Sequence, residues 1–488
     1  MLDWKKLLND ARRKDKVKAK EKKSSEGKNE VKKKEVRTEI ERDYDRILFS
    51  TPVRRMADKT QVFPLERNDS VRTRLTHSHE VSNLARSIGV NLVFNEKLID
   101  KKLLPERNVP AMLAAIGLAH DLGNPPFGHQ GESAIQSWFE DNRKKVFNDE
   151  IGKVLSVAQK QDFLRFEGNA QTLRLLTRLQ LINDDFGLNL TYGTLAALMK
   201  YPVPSNKVKK KKNKNDKVHV AKKKHNFFQS EREIVEEIWG ETGLSEGVRH
   251  PLTYIMEACD DIAYAVLDAE DAVKKSLVSF SDLVTFLEHK KDNDRAISNV
   301  LEYACARHKK FRNENLSPSE LNDISMQMFR VAAIGEMVSD VSIAFVQNKE
   351  KIMNGQLDQD LIKVSNSDNL CEYLKEFNRI HAYKHRSVLE VELTGYNTIR
   401  KLMDFFWVAI SERKDPKNVS SDRKTPFASY AYSRISENYR RVFENKNNGM
   451  PVRYKELQLM TDMISGMTDS FALLLLEDLK KYDATANH

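Results

Sequence analysis

Cysteine is almost missing from this chain. Cys259, Cys305 and Cys371 are the only three in 488 residues, far apart and without a CxxC pair. They read as free thiols of a reducing cytoplasm and exclude a disulfide framework. Glycine and proline are sparse, at 18 and 13, and alternating runs rich in Val, Ile and Thr are few, which argues against a β-rich fold. No stretch approaches the ~20 consecutive apolar residues that a membrane span needs, so no membrane partner is expected. The opening MLDWKKLLNDARRKDKVKAK lacks the apolar region of a secretory leader. Its acids Asp3, Asp10, Asp15 and Glu21 count against a transit peptide, and a cytoplasmic location is expected. No internal repeat is visible.

What the chain does have is positive charge, +10 in total, concentrated in two places. Residues 1–40 hold fifteen Lys and Arg against eight acids, and residues 203–225 hold ten Lys against one Asp. The remainder is mildly acidic, so the basicity belongs to two segments and not to the fold. Such segments are either solvated stretches or captors of polyanions. Beyond residue 43 apolar residues recur at helical spacing, as in Val81–Leu84–Ala85–Ile88 and Ile255–Ala258–Cys259–Ile262. The expected class is all-α, with room for a short strand pair near 190–205 or 388–394 and a polar loop around 412–426. The expected organisation is a basic, mobile tail over 1–42, a core over 43–290 interrupted by the lysine-rich loop 203–225, and a C-terminal helical lobe over 291–488 of the same globular unit.

Two histidines in RTRLTHSHE raise the first chemical question. At 3.6 residues per turn His77 shares a face with Val81, Leu84 and Ile88, whereas His79 sides with Asn83 and Arg86. A ligand here would be His77, although a lone histidine on an apolar face is more often a core residue. Partners come from AIGLAHDLGNPPFGHQGES, where an apolar helix delivers His120 and Asp121 and then breaks at Gly123–Asn124–Pro125–Pro126. A buried His and carboxylate need pairing or a cation, and mixed imidazole and carboxylate sites suit Mn, Fe, Zn or Mg. His129 and Glu132, three apart, have the form of an acid/base dyad. In YIMEACDDIAYAVLDAEDAV, Asp260, Tyr264 and Asp268 form a polar ladder on an otherwise apolar helix.

These segments carry a resemblance. KTQVF (59–63), RTRLTHS (72–78), AHDLGNPPFGHQGE (119–132), FEGNAQTLR (166–174), LMKYP (198–202), FFQSE (227–231), EACDDIAY (257–264) and SGMTDSFAL (465–473) resemble, in order, the HD-domain dGTP triphosphohydrolases. The resemblance implies an HD-domain helical fold and hydrolysis of dGTP to deoxyguanosine and triphosphate. It implies a divalent cation, Mn²⁺ or Mg²⁺ with Fe²⁺ also compatible, on His77, His120, Asp121 and Asp260. His129 and Glu132 take the place of the catalytic dyad. Arg74, Lys200, Tyr201 and Lys224 fall where the family meets phosphate. Gln61, Tyr264 and Asp268 fall around the sugar, Asn169 in the same cleft, and Val62 and Glu392 at the base. Asn124 stands where many relatives have a second histidine, a form that resembles the stricter dGTPases. The resemblance further implies a homo-oligomer, a hexamer, and allows single-stranded nucleic acid as a partner of the basic segments. The alternatives are a broad-specificity dNTP triphosphohydrolase and a nucleic-acid-regulated HD phosphohydrolase acting on another nucleotide.

Overall fold

Thr73 stands where the helical periodicity begins, and it caps the helix. Its hydroxyl accepts from the Thr76 N–H, while Thr76 Oγ1 accepts from the Thr73 N–H. The computed structural model describes residues 1–22 (19–22 as backbone only), 35–63, 65, 68–180, 186–209, 218–291 and 294–483. In it the helix Arg74–Phe94 buries His77, Val81, Ala85, Ile88 and Leu92. His79 is exposed, on the side of Asn83 and Arg86.

This helix packs on a second one, Pro105–Ala119, and Gly117 sets how closely. A Cβ at Gly117 would lie 2.7 Å from Ser82 Cα, and Ser82 Oγ donates to Ala114 O at 2.8 Å across the contact. The approach brings the His77 ring to 5.6 Å from that of His120, just past the end of the second helix. Gly117→Val should force the backbones apart at a cost of about 1–3 kcal/mol, read as a lowered midpoint in urea denaturation.

The third element is the 24-residue helix Pro251–Lys274. Pro251 suits a first helical position, and His250 Nδ1 accepts from the Leu252 N–H as a cap. Nearly every residue from Pro251 to Val273 is buried, so the acids it carries face protein partners or a cavity. Among the described residues every regular element is a helix, and the fold is all-α. The strand pair does not form. Residues 388–394 lie inside the helix Arg386–Ser411, with Val388 inward and Leu389 and Leu393 toward solvent. Around 190–205 there are only single bridges, Thr191 with Arg12 and Pro204 with Phe227.

Part of the described stretch of the first 42 residues packs against the rest of the chain, while much of it is exposed. Leu7 and Leu8 join the core, and the Leu2 N–H donates to Met353 O at 2.6 Å. Arg12 is buried between Glu39 and Asp43 at 2.7 and 2.6 Å. A count of charges hides one apolar pair and one arginine with two carboxylate partners. Of the lysine-rich stretch, 210–217 lie outside the described residues; on its flank Val220 and Ala221 are buried and Lys223 pairs with Asp360 at 2.6 Å. Arg174 reaches Asp462 at 2.7 Å and Glu231 at 3.0 Å. One contiguous hydrophobic cluster runs from Leu7 to Leu479. No single helix among the described residues is long and apolar enough to cross a membrane.

Candidate active site

The three helices converge on His77, His120 and Asp260. His77 Nε2 lies 3.2 Å from Asp260 Oδ1, and His120 Nε2 lies 3.4 Å from the same oxygen. The His120 Nδ1–H donates to Gly117 O at 2.7 Å, which leaves Nε2 as the lone-pair atom aimed at the cluster. Among the described residues nothing hydrogen-bonds that Nε2. Ligand atoms of the three side chains all lie within 4.8 Å of one another. Two imidazole nitrogens and a carboxylate oxygen, one nitrogen without a partner, fit a divalent cation. Asp121 stands beside them, its Oδ1 3.5 Å from His120 Nε2. That oxygen also accepts from Asn124 Nδ2 at 2.8 Å, while Oδ2 pairs with Arg74. Asn124 thus orients a carboxylate.

Electrostatics hold these acids ionised. Burial works against the Asp260 carboxylate, but Lys200, 2.6 Å away, and the two histidines outweigh it and hold Asp260 well below the usual range. Asp121 is held low in the same way, by His120 and Arg74 against its own burial.

A cavity of about 460 Å³ opens beside the cluster, within the ~300–1,000 Å³ usual for small-molecule sites. Near the acids it is lined by Arg74, Lys200, Tyr201 and Lys224, and elsewhere by Gln61, Val62, Asn169, Tyr264 and Glu392. His129 lines it too, its side chain 82% exposed. The turn that launches His129 is unusual, since Phe127 has φ 59° and Gly128 φ 54°, a region that favours glycine. Glu132 is buried, with Oε2 3.4 Å from His129 Nδ1 and Oε1 accepting from the Gly168 N–H at 2.7 Å. The hydrogen bond to Glu132 raises His129 above the ordinary imidazole value. Glu392 is half-buried and accepts weakly from Gln130 at 3.4 Å.

Asp268 is the expected contact that does not reach the cavity. It is buried one layer back, where the Tyr383 hydroxyl donates to its Oδ2 at 2.6 Å. Tyr383 itself lines the cavity with its ring 5.8 Å from that of Tyr264, and Val388 lies next to Glu392 in the wall. Neither Tyr383 nor Val388 had any signal in the sequence. Glu167, inside FEGNAQ, was equally unmarked. It accepts from Lys224 Nζ and from Asn169 Nδ2, each at 2.8 Å. Burial, with the charge of Glu132, pushes Glu167 up to about 7. Below that value Glu167 is protonated and Lys224 is released for an anion; above it the two pair. The KM for a polyphosphate substrate should therefore rise roughly 2–5-fold as pH passes through 7, the worth of a partly exposed ion pair. Steady-state kinetics across that window should show the rise in the wild type and not in Glu167→Gln.

No protein-family model matches the chain, but relatives match it along its length. It is 36% identical over 493 residues to the deoxyguanosinetriphosphate triphosphohydrolase-like protein of Listeria innocua, which covers 98% of this chain and 99% of that one. The protein of the same description from Synechocystis is 32% identical over 464 residues, 91% of this chain and 94% of its own. Against the deoxyguanosinetriphosphate triphosphohydrolase of Yersinia pseudotuberculosis the identity is 31% over 492 residues, 90% and 93% of the two chains. At such identity across nine-tenths of both partners, the helical core is an HD-domain fold and the chain belongs to the deoxyguanosinetriphosphate triphosphohydrolase family.

Proposed function

We propose that this chain hydrolyses dGTP to deoxyguanosine and intact triphosphate, using Mn²⁺ or Mg²⁺, with Fe²⁺ also compatible, held by His77, His120, Asp260 and Asp121. The observation that carries the reading is one cavity faced by Asp121 and Asp260, three cationic side chains and a paired histidine, with His77 and His120 buried directly behind Asp260. Relatives named for this reaction support it.

A cation at these ligands supplies Lewis-acid polarisation of a phosphate oxygen. The chain's own residues do the rest. Arg74, Lys200 and Lys224 now sit against Asp121, Asp260 and Glu167, so a triphosphate would exchange with carboxylates already present. Charge neutralisation and positioning of this kind carry most of phosphoryl transfer. His129, with Nδ1 directed at Glu132, has Nε2 left to move a proton between the cavity and the leaving 5′-oxygen. Tyr264, beside Tyr383, packs where a 2′-hydroxyl would stand and so favours a deoxyribose. Gln61 Oε1, buried and without a partner among the described residues, is an acceptor for the 3′-hydroxyl. Glu392 accepts from the N1–H and N2–H of guanine, which adenine lacks, and Val62 packs on the ring.

The test is a product assay with all four dNTPs under Mn²⁺ and under Mg²⁺. Triphosphate from dGTP in preference to the others is the expected result. Equal turnover of all four would replace dGTP selectivity by a broad dNTP specificity. Orthophosphate or pyrophosphate as the first product would sink the reading.

A further inference from the structure

Two walls of the cavity are joined from outside it. One wall is Lys59–Val62, which carries Gln61 and Val62; the other is Asn124–His129, which carries Asn124 and the His129 turn. Asp469, 409 residues from Thr60 in sequence and buried, touches both. Its Oδ2 accepts from the Thr60 N–H at 2.9 Å and from the Thr60 hydroxyl, and its Oδ1 accepts from the Phe127 N–H at 3.0 Å. Lys59 makes a second tie, its Nζ donating to Asn124 O at 2.6 Å and to Ser465 O at 2.7 Å. Thr60 O in turn accepts from Arg74 at 2.9 Å.

The Phe127 turn needs such support. A non-glycine residue at φ 59° is held there only when its surroundings over-determine it. The ring of Phe127 is seated against Gly395, where a Cβ would fall 2.3 Å from its Cγ. Packing therefore fixes the ring, and Asp469 fixes the N–H. The three groups that meet Asp469 are all donating, so the position calls for an acceptor-only group with two oxygens, which among side chains means a carboxylate.

We infer that Asp469 is a positioning residue for the reaction proposed above: from the C-terminal lobe it sets the spacing between the Gln61–Val62 wall and the turn that launches His129. The inference rests on that functional reading. Asp469→Asn keeps the shape but turns an N–H₂ toward the backbone N–H of either Thr60 or Phe127, so one wall must shift. Because both walls touch substrate, kcat should fall and KM rise together, with kcat/KM down about 100-fold for a displacement near 1 Å. Mn²⁺ affinity by calorimetric titration should stay near the wild-type level, since Asp469 bonds only Thr60 and Phe127 and none of the four ligands His77, His120, Asp260 and Asp121. A residue that merely held the fold together would lower the melting temperature without this joint change in kcat and KM.

Thr60→Val and Thr60→Ser make the second arm, which decides the matter if Asp469→Asn does not fold. Loss of the hydroxyl in T60V should lower kcat/KM more than T60S, which keeps it. A folded D469N with wild-type kcat and KM overturns the inference, as do T60V and T60S that behave alike, or a loss matched by an equal loss of Mn²⁺ affinity. If the wild-type protein releases no triphosphate from any dNTP, the functional reading fails and takes this inference with it. Wild-type activity with an unaffected D469N defeats the inference alone.

Discussion

Asp260→Asn is expected to lower triphosphate release from dGTP by more than about 10³-fold and to abolish tight Mn²⁺ binding. Asp260 Oδ1 is the atom shared by both imidazoles, 3.2 Å from His77 and 3.4 Å from His120. An amide there keeps the volume and removes the charge. It also leaves Lys200, now 2.6 Å from Asp260 Oδ2, without its counter-ion. Breaking a buried pair costs about 3–5 kcal/mol, and the partial exposure of Asp260 puts the expected loss toward the low end of that range. The pH dependence gives a separate signature. Asp260 is held below its unfolded value, so its contribution to stability is present above the ordinary carboxylate range near 4 and fades as pH falls toward the depressed one. Urea denaturation of the metal-free protein should show this acid-side slope in the wild type and a shallower one in D260N. Full Mn²⁺ affinity in D260N would remove Asp260 from the ligand set.

His129→Ala is expected to reduce kcat by about 10²–10⁴-fold, the usual worth of a positioned acid/base group, with little change in stability. The side chain is 82% exposed, and substitutions at such positions usually stay within about 0.5 kcal/mol. Glu132→Gln separates the roles of the pair. The amide oxygen can still accept from the Gly168 N–H, but the charge that raises His129 is gone. The limb of the kcat/KM profile that belongs to His129 should lie above the ordinary imidazole value in the wild type and move to lower pH in E132Q. A limb that stays in place would mean that Glu132 does not tune His129.

Which of the two neighbouring histidines turns inward was legible because helical period separates directions around an axis; the full set His77, His120, Asp121 and Asp260 came only from the resemblance. His77 turns inward with Val81, Ala85 and Ile88 while His79 turns out, and the spacing of four or seven residues says so before any contact is known. For Asp268 the helical period shows only a polar ladder, and its partner comes from elsewhere. On its own helix it repeats the position of Asp260 two turns on, yet Tyr383 arrives from beyond the end of the helix Asp368–His381 and takes its oxygen. Glu167 and Asp469 were invisible for a related reason. Nothing in FEGNAQ or SGMTD tells which of its polar residues will meet Lys224 or the Phe127 N–H.

By itself, then, the sequence determined the all-α class, the inward turn of His77 and the segments that had to meet. It did so because periodicity and local motif residues act within one helix or one turn. Tertiary structure alone decided that Leu7, Leu8 and Arg12 are buried, that Asp268 stands behind Tyr383 and that one carboxylate at the start of the helix Asp469–Tyr482 ties two walls together. Each of these depends on which groups arrive from distant elements, with separations of 409 residues in the case of Asp469 and Thr60. A buried polar group must find whatever partner the packing brings to it.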